Sequence, residues 1–334
     1  MKPASGPQRQ RGVALIIALV LMALATILAV KIGFGGFVER KRTTTMLAAE
    51  QAFQFAMGAE ALAADVLQRQ SQSSAQVDTL ADPWAQPPQP IPLRPPNDPE
   101  GEPMGTLEGY LEDESGKFNI NTLLRLGQDG KPDPVPLAQF TALLKDLELD
   151  PKWAAKAVDW IDNDSAETFP DGAEDSVYTS QDPPYLTGNW SMMSTTELMS
   201  MPGFGADNYQ KLAPYITALP TTVTHINVCT APGHVLDMLT GLNEYRSNPP
   251  ALIAGRKTGC FPDPSVLTNS LSPLQANNIK NFLYKNSDYF RLTTRVTLGS
   301  TEFTLYSLLS RNSGASGGGG GSRLTPILRS FGTK

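Results

Sequence analysis

The chain has 334 residues, a formal net charge of −6 at pH 7, and acidic residues gathered mainly after position 97. It lacks the concentrated basic face that a nucleic-acid surface needs, so proteins and cations are the expected partners. Its 28 Pro and 28 Gly point to a loop-rich body, and its length allows an anchor with one or two folded units.

Residues 1–12 carry Lys2, Arg9 and Arg11 and close on Gly12; an apolar run over 13–30 follows, interrupted only by Thr26. As a helix this run rises about 1.5 Å per residue, roughly 27 Å, against ~30 Å for a bilayer core. It is longer than a secretory signal's apolar core, and Ala23 and Ala25 lie inside the run rather than at a cleavage loop after it. Charge does not orient the segment, because Lys31, Arg40, Lys41 and Arg42 balance the leader's cations. No proline separates Pro7 from Pro83, and Met46, Leu47, Phe53, Ala56, Met57, Leu62 and Leu67 recur at helical spacing among Glu50, Glu60, Asp65 and Arg69. One long helix over 13–71 is expected, weakened at Gly33, Gly35 and Gly36 by about 1 kcal/mol each relative to Ala.

The basic leader, its terminal Gly12 and the run Val13-Ala-Leu-Ile-Ile-Ala-Leu-Val together resemble the class III leader of type IV pilins and type II secretion pseudopilins. The resemblance implies that a prepilin peptidase cuts between Gly12 and Val13 and methylates the new amino terminus. It also implies a single-pass inner-membrane protein whose C-terminal body is periplasmic. Most members carry Glu as the fifth residue after the cut, and Ile17 stands there in this chain. A carboxylate in such apolar surroundings costs several kcal/mol unless paired. In the family a neighbouring subunit's amino terminus is thought to neutralise it, and a subunit with no neighbour above it has no use for one. With the length of the chain, Ile17 makes it similar to the large minor pseudopilins, the general secretion pathway K proteins. That likeness implies a non-enzymatic subunit at the pseudopilus tip, partnered by minor pseudopilins I and J, the major pseudopilin and other secretion-system components. Helping to initiate assembly and limiting fibre length are the implied roles.

After the stem, 72–104 holds nine prolines, from Pro83 to Pro103, and reads as an extended linker or surface loop. Two short strands are predicted in 105–122 around a turn at Ser115-Gly116, and two more at 289–298 and 301–311 across Gly299-Ser300. A last strand is expected over 324–331. Helical spacing marks 137–147, 153–161, 195–201, 208–217, 232–241 and 273–284. The expected fold is therefore α+β: a pilin-like long N-terminal helix on an antiparallel sheet formed by 105–122 and 287–331, with a large inserted helical domain over 123–286. Residues 313–322 are Gly/Ser-rich, and the formal G-x-S-x-G at 314–318 lacks the strand-to-helix turn its chemistry needs.

The richest polar constellation is Asp159, Asp162 and Asp164 followed by Glu174 and Asp175. Several hard oxygen donors leaving a helix end suit Ca²⁺, which takes six to eight oxygens. Glu167 stands where an EF-hand beginning at Asp162 requires Gly, so the loop is not an EF-hand. The motif resembles the calcium-binding region of the secretion pathway K proteins; Asp162, Asp164, Glu174 and Asp175 are the expected ligands, with Asp159 a weaker one. Cys229 and Cys260 are the only cysteines and allow one disulfide in an oxidising compartment, contributing about 3 to 4 kcal/mol through unfolded-state entropy.

Residues 195–209, with Met201-Pro-Gly203-Phe-Gly205, resemble a helix-hairpin-helix unit, which in DNA-binding versions offers backbone N–H groups to a phosphate. Asp207 lies close and Lys211 is the only nearby cation, which favours packing; a competence-type pseudopilin binding DNA is the alternative reading. Asn119-Ile-Asn-Thr122 and Ile226-Asn-Val-Cys-Thr230 look like a repeated lead-in to helical units. His225 and His234 have no recognisable nucleophile or metal-spaced partner, so no catalysis is expected.

Overall fold

An uncharged apolar run and a proline-free sequence allow a single helix, α1 (Arg11–Ser73, 63 residues), to continue from the amino-terminal region into the body. The computed structural model describes residues 11–73, 77–87, 89–95, 97–269, 271–312 and 323–331. The leader's residues 1–10 and the Gly/Ser-rich 313–322 lie outside these. Among the described residues α1 contains the one segment, Val13–Gln70, long and apolar enough to cross a membrane, and its apolar window is entirely exposed. Gly33, Gly35 and Gly36 do not interrupt it.

Further along, α1 turns one face to the body. Ala52, Ala56 and Leu67 are fully buried, and Glu60 is buried on the same side, at the i, i+4 spacing of a helix stripe. This face covers a five-stranded antiparallel sheet in the order β1 (Ile91–Leu93), β2 (Gly105–Asp113), β7 (Tyr289–Leu298), β8 (Thr301–Asn312), β9 (Arg323–Ser330), strands being numbered in chain order. Between β2 and β7 (Tyr289–Leu298) runs the inserted body: β3 (Phe118–Asn119), α2 (Pro134–Asp146), α3 (Lys152–Ile161), α4 (Asp175–Tyr178), α5 (Gly205–Leu212), β4 (Ile216–Thr217), β5 (Ile226–Asn227), α6 (Gly233–Thr240), α7 (Pro250–Arg256), α8 (Pro264–Asn269), α9 (Pro273–Ile279) and β6 (Leu283–Tyr284). The chain then returns through β7, β8 (Thr301–Asn312) and β9 (Arg323–Ser330).

Period-two alternation sets the sheet's inner face. In β7 Phe290, Leu292, Thr294, Val296 and Leu298 are buried while alternate residues are more open. Leu93, Leu107, Val296, Leu298 and Leu305 pack under Ala52 and Ala56; Trp84, Phe290, Leu292, Leu309 and Leu324 pack under Leu67. Between the two apolar groups Glu60 accepts from Ser307 Oγ (2.6 Å) and from Arg329 Nε and Nη2 (2.9 and 2.8 Å). Burial pushes the Glu60 carboxyl up, but Arg329 and Ser307 outweigh it and hold the group below its ordinary value. Proline sits in both edge strands, Pro92 in β1 and Pro326 in β9, where one missing N–H is tolerated.

Three sequence expectations need correction. The Pro-rich 72–104 is more than a linker: Ile91 to Leu93 pair antiparallel with Gly105 to Leu107, and Asp78 and Trp84 are buried. Trp84 meets Phe290 edge-on at 5.2 Å, and Arg311 clamps Asp78 with two hydrogen bonds (2.6 and 3.1 Å). The strand expected after Ser115-Gly116 does not fold back on β2. Asp113 Oδ1 accepts from Ser115 N (2.8 Å), turning the chain out of the sheet, and β3 pairs in parallel with β4 (Phe118↔Ile216). A Cβ on Gly116 would press on Thr230 and Ala231, so this turn needs glycine for close approach. Finally, 208–217 and 273–284 are not single helices; each passes through a 3-10 turn into a two-residue strand, β4 or β6.

Those short strands divide the inserted body into two similar units. Asn119 Oδ1 accepts from Asn121 N and Leu219 N, closing the β3–β4 unit. Asn227 Oδ1 accepts from Cys229 N beside the parallel pair β5–β6 (Ile226↔Leu283). The inserted body shares one apolar core, in which Phe118 stacks on Phe140 (5.4 Å) and Trp153 meets Phe204 edge-on (5.1 Å).

Candidate metal centre

Helix α3 buries Trp153, Ala157, Trp160 and Ile161 in that core, which fixes the point at which its C-terminal end releases the acidic loop. Asp159, in the last turn, is fully buried and faces inward. Its carboxylate accepts from Thr168 N (3.0 and 3.2 Å) and Ala173 N (2.6 Å), folding the loop back over the helix end. Gly172 lies against this carboxylate so closely that a Cβ there would overlap both Asp159 and the Thr168 backbone.

Asp162 caps α3 and Glu174 immediately precedes α4. The fold brings their carboxylates together with that of Asp164, ligand-capable atoms of all three lying within 4.8 Å of one another. Asp164 is exposed and also accepts from Ala166 N (2.8 Å), Asp162 is half-buried, and Glu174 is 6 % exposed. Burial, reinforced by Asp164 and Asp159, pushes the Asp162 carboxyl up to about 6. Glu174 rises to about 7 through burial and the repulsion of Asp159, Asp162, Asp164 and Asp175. Asp162 Oδ1 and Glu174 Oε1 are buried and have no hydrogen-bond partner among the described residues. Three converging carboxylates with two orphaned inward oxygens fit a hard divalent cation.

Two of the five expected ligands have other work. Asp159 holds the loop, and Asp175 Oδ1 accepts from Thr187 N (3.0 Å) and Thr187 Oγ1 (2.7 Å), bonds that lower its pKa. Thr187 thus ties the segment after α4 to the site; twelve residues beyond Asp175, it carries no spacing signal in the sequence. The buried Tyr178, one turn into α4, closes the apolar side, with Trp160 edge-on at 5.2 Å and its own pKa raised by burial.

The remaining singled-out residues lie elsewhere. Val13 and Ile17 are exposed on the apolar part of α1, whose helix also includes Gly12. Cys229 and Cys260 form a disulfide. In the hairpin, Gly203 and Gly205 take positive φ (83° and 73°), while Met201 and Phe204 are buried. His234 Nδ1 pairs with Asp146 (2.5 Å), and His225 stacks on Tyr284 at 3.9 Å.

A protein-family model described as type II secretion system (T2SS), protein K matches residues 116–221. Type II secretion system protein K of Pectobacterium carotovorum is 33% identical over 314 residues, covering 90% of this chain and 92% of the relative. The chain belongs to the type II secretion system protein K family. The family's member from Pseudomonas aeruginosa is 31% identical over 90% of this chain and 89% of its own. A solved chain from the crystal structure of the GspK-GspI-GspJ complex of enterotoxigenic Escherichia coli superposes with a TM-score of 0.72 at 25% identity, covering 88% of this chain and all of that one. The α+β architecture, with its long first helix, antiparallel sheet and additional helices, is that of protein K. The protein is therefore a minor pseudopilin, a structural component of the secretion system and not an enzyme. Its apolar first helix is compatible with single-pass anchoring.

Proposed function

We propose that this pseudopilin caps the type II secretion pseudopilus, joined to the fibre through α1 and presenting its inserted helical body at the tip. Ile17 is the observation that carries the reading: it lies exposed on an apolar helix, at the position where most pseudopilins carry the carboxylate that engages the subunit above. The bulk inserted between β2 and β7 adds support, since a body of that size is ill suited to repeat along a fibre. In this reading a prepilin peptidase cuts between Gly12 and Val13 and methylates Val13, leaving the chain in the inner membrane with its body in the periplasm. The similar solved chain comes from a complex with GspI and GspJ, which supports minor pseudopilins I and J as partners, with the major pseudopilin below. From the tip the subunit helps initiate assembly and limits fibre length. Immunogold labelling of isolated pseudopili is expected to place the protein at one end; label distributed along the fibre overturns the reading.

The acidic cluster is proposed to hold calcium through Asp162, Asp164 and Glu174, with Asp159 and Asp175 positioning them. When bound, the ion supplies the charge neutralisation that the three carboxylates lack. Calorimetric titration with CaCl₂ is expected to give binding heat, and a chelator to lower the melting temperature. Absence of both removes the ligand assignment.

A further inference from the structure

The basic residues that follow the apolar run of α1 play no part in the sheet, the metal centre or the capping role. Lys31, Arg40, Lys41 and Arg42 are all exposed, and Glu39 is the only acidic residue within 31–49. Among the described residues the ion pairs of this helix lie further along, at Arg69–Asp65 and Glu60–Arg329.

Depth and direction say what the cations face. With Val13 at one edge of the ~30 Å hydrocarbon core, a helix carries Arg40 about 40 Å, roughly 10 Å past the opposite edge and just outside a headgroup layer that its long side chain can reach back to. Lys31, about 27 Å along, reaches the edge of the hydrocarbon core, where a long stem can carry its ammonium outward. Successive residues turn by about 100°, so Arg40, Lys41 and Arg42 point to three sides of the helix over a rise of about 3 Å along its axis. Glu39 fills the remaining side and leaves the ring net positive. A protein partner reads one face of a helix, whereas a headgroup layer surrounds it.

We propose that this ring binds anionic phospholipid headgroups in the leaflet opposite the leader. The inference rests on the membrane-anchor reading but not on the tip position or on calcium. Attraction of juxtamembrane cations to anionic lipid is electrostatic and weakens within a Debye length, so salt should erode it.

The test is native mass spectrometry of the full-length chain in detergent with equimolar phosphatidylglycerol and phosphatidylcholine. Preferential retention of phosphatidylglycerol, on the order of fivefold or more, is expected. The triple variant Arg40→Gln, Lys41→Gln, Arg42→Gln should lose most of that preference, the remainder belonging to Lys31 and the leader's Lys2, Arg9 and Arg11, while Arg40→Lys, Arg42→Lys keeps the preference. Equal preference in the wild type and the triple variant overturns the proposal. So does a triple variant that keeps its lipid preference but no longer co-purifies with the small pseudopilins, which would assign the ring to protein carboxylates. Carbonate extraction from pure phosphatidylcholine vesicles tests the anchor separately: wild type and triple variant should both stay in the membrane, and release of both would defeat the anchor reading.

Discussion

Asp159 is buried within hydrogen-bonding reach of two loop amides and shapes the acidic loop without joining the three-carboxylate cluster. Replacing it with Ala strands the Thr168 and Ala173 N–H groups, which should lower stability by about 2 to 4 kcal/mol in urea unfolding, with or without calcium. Glu174 should behave in the opposite sense. Glu174→Gln removes a buried carboxylate that four others, Asp159, Asp162, Asp164 and Asp175, repel, so the melting temperature in chelator should rise and the response to calcium disappear. Away from this site, burial raises Asp113 to about 6 against the donors Ser115, Thr230, Asn227 and Ser287 and beside Asp78, which Arg311 clamps. Its folded value lies above the unfolded one, so its stabilisation is complete below about pH 4 and is lost as pH rises through 6. Relative to Asp113→Asn in chelator, the wild type should lose about 2 kcal/mol between pH 4 and 7 by urea titration.

Between elements, the Glu60 clamp holds the stem to the last strand, β9. Arg329→Ala leaves a buried carboxylate with Ser307 as its remaining side-chain donor, whereas Glu60→Gln removes the charge itself. The first should therefore be the more destabilising, by about 1 to 2 kcal/mol in paired urea titrations, a value moderated by Arg329's partial exposure. Elements of this kind differ in how far their sequences announce them. The stem is legible because apolar residues recur at helical spacing with no proline before Pro83, and β7 because its buried residues alternate. β1 is hidden by Pro92, which an edge strand accepts. The parallel pairs β3–β4 and β5–β6 are two residues long with partners far along the chain, so no periodicity betrays them. Helices α4, α7 and α8, of four to seven residues, are too short to show a repeating face.

Across the whole molecule, the Cys229–Cys260 bond spans 31 residues and secures the second helical unit. Replacing both cysteines with Ser should lower stability by about 3 to 4 kcal/mol, read as a shift in the urea midpoint under oxidising conditions. The acidic residues of the candidate centre were legible as a group because Asp162, Asp164 and Glu174 flank one loop. Which carboxylates converge was not: the outcome depends on Asp159 turning inward and on Thr187 reaching Asp175, neither of which leaves a mark in spacing. The outer strands carry one further implication for packing with other subunits. Because Pro92 and Pro326 each withhold an amide hydrogen, neither rim offers an incoming chain an unbroken row of donors. A partner that docked by adding a strand to either rim would therefore meet a gap in the donor row, and its backbone ladder would be broken at that point.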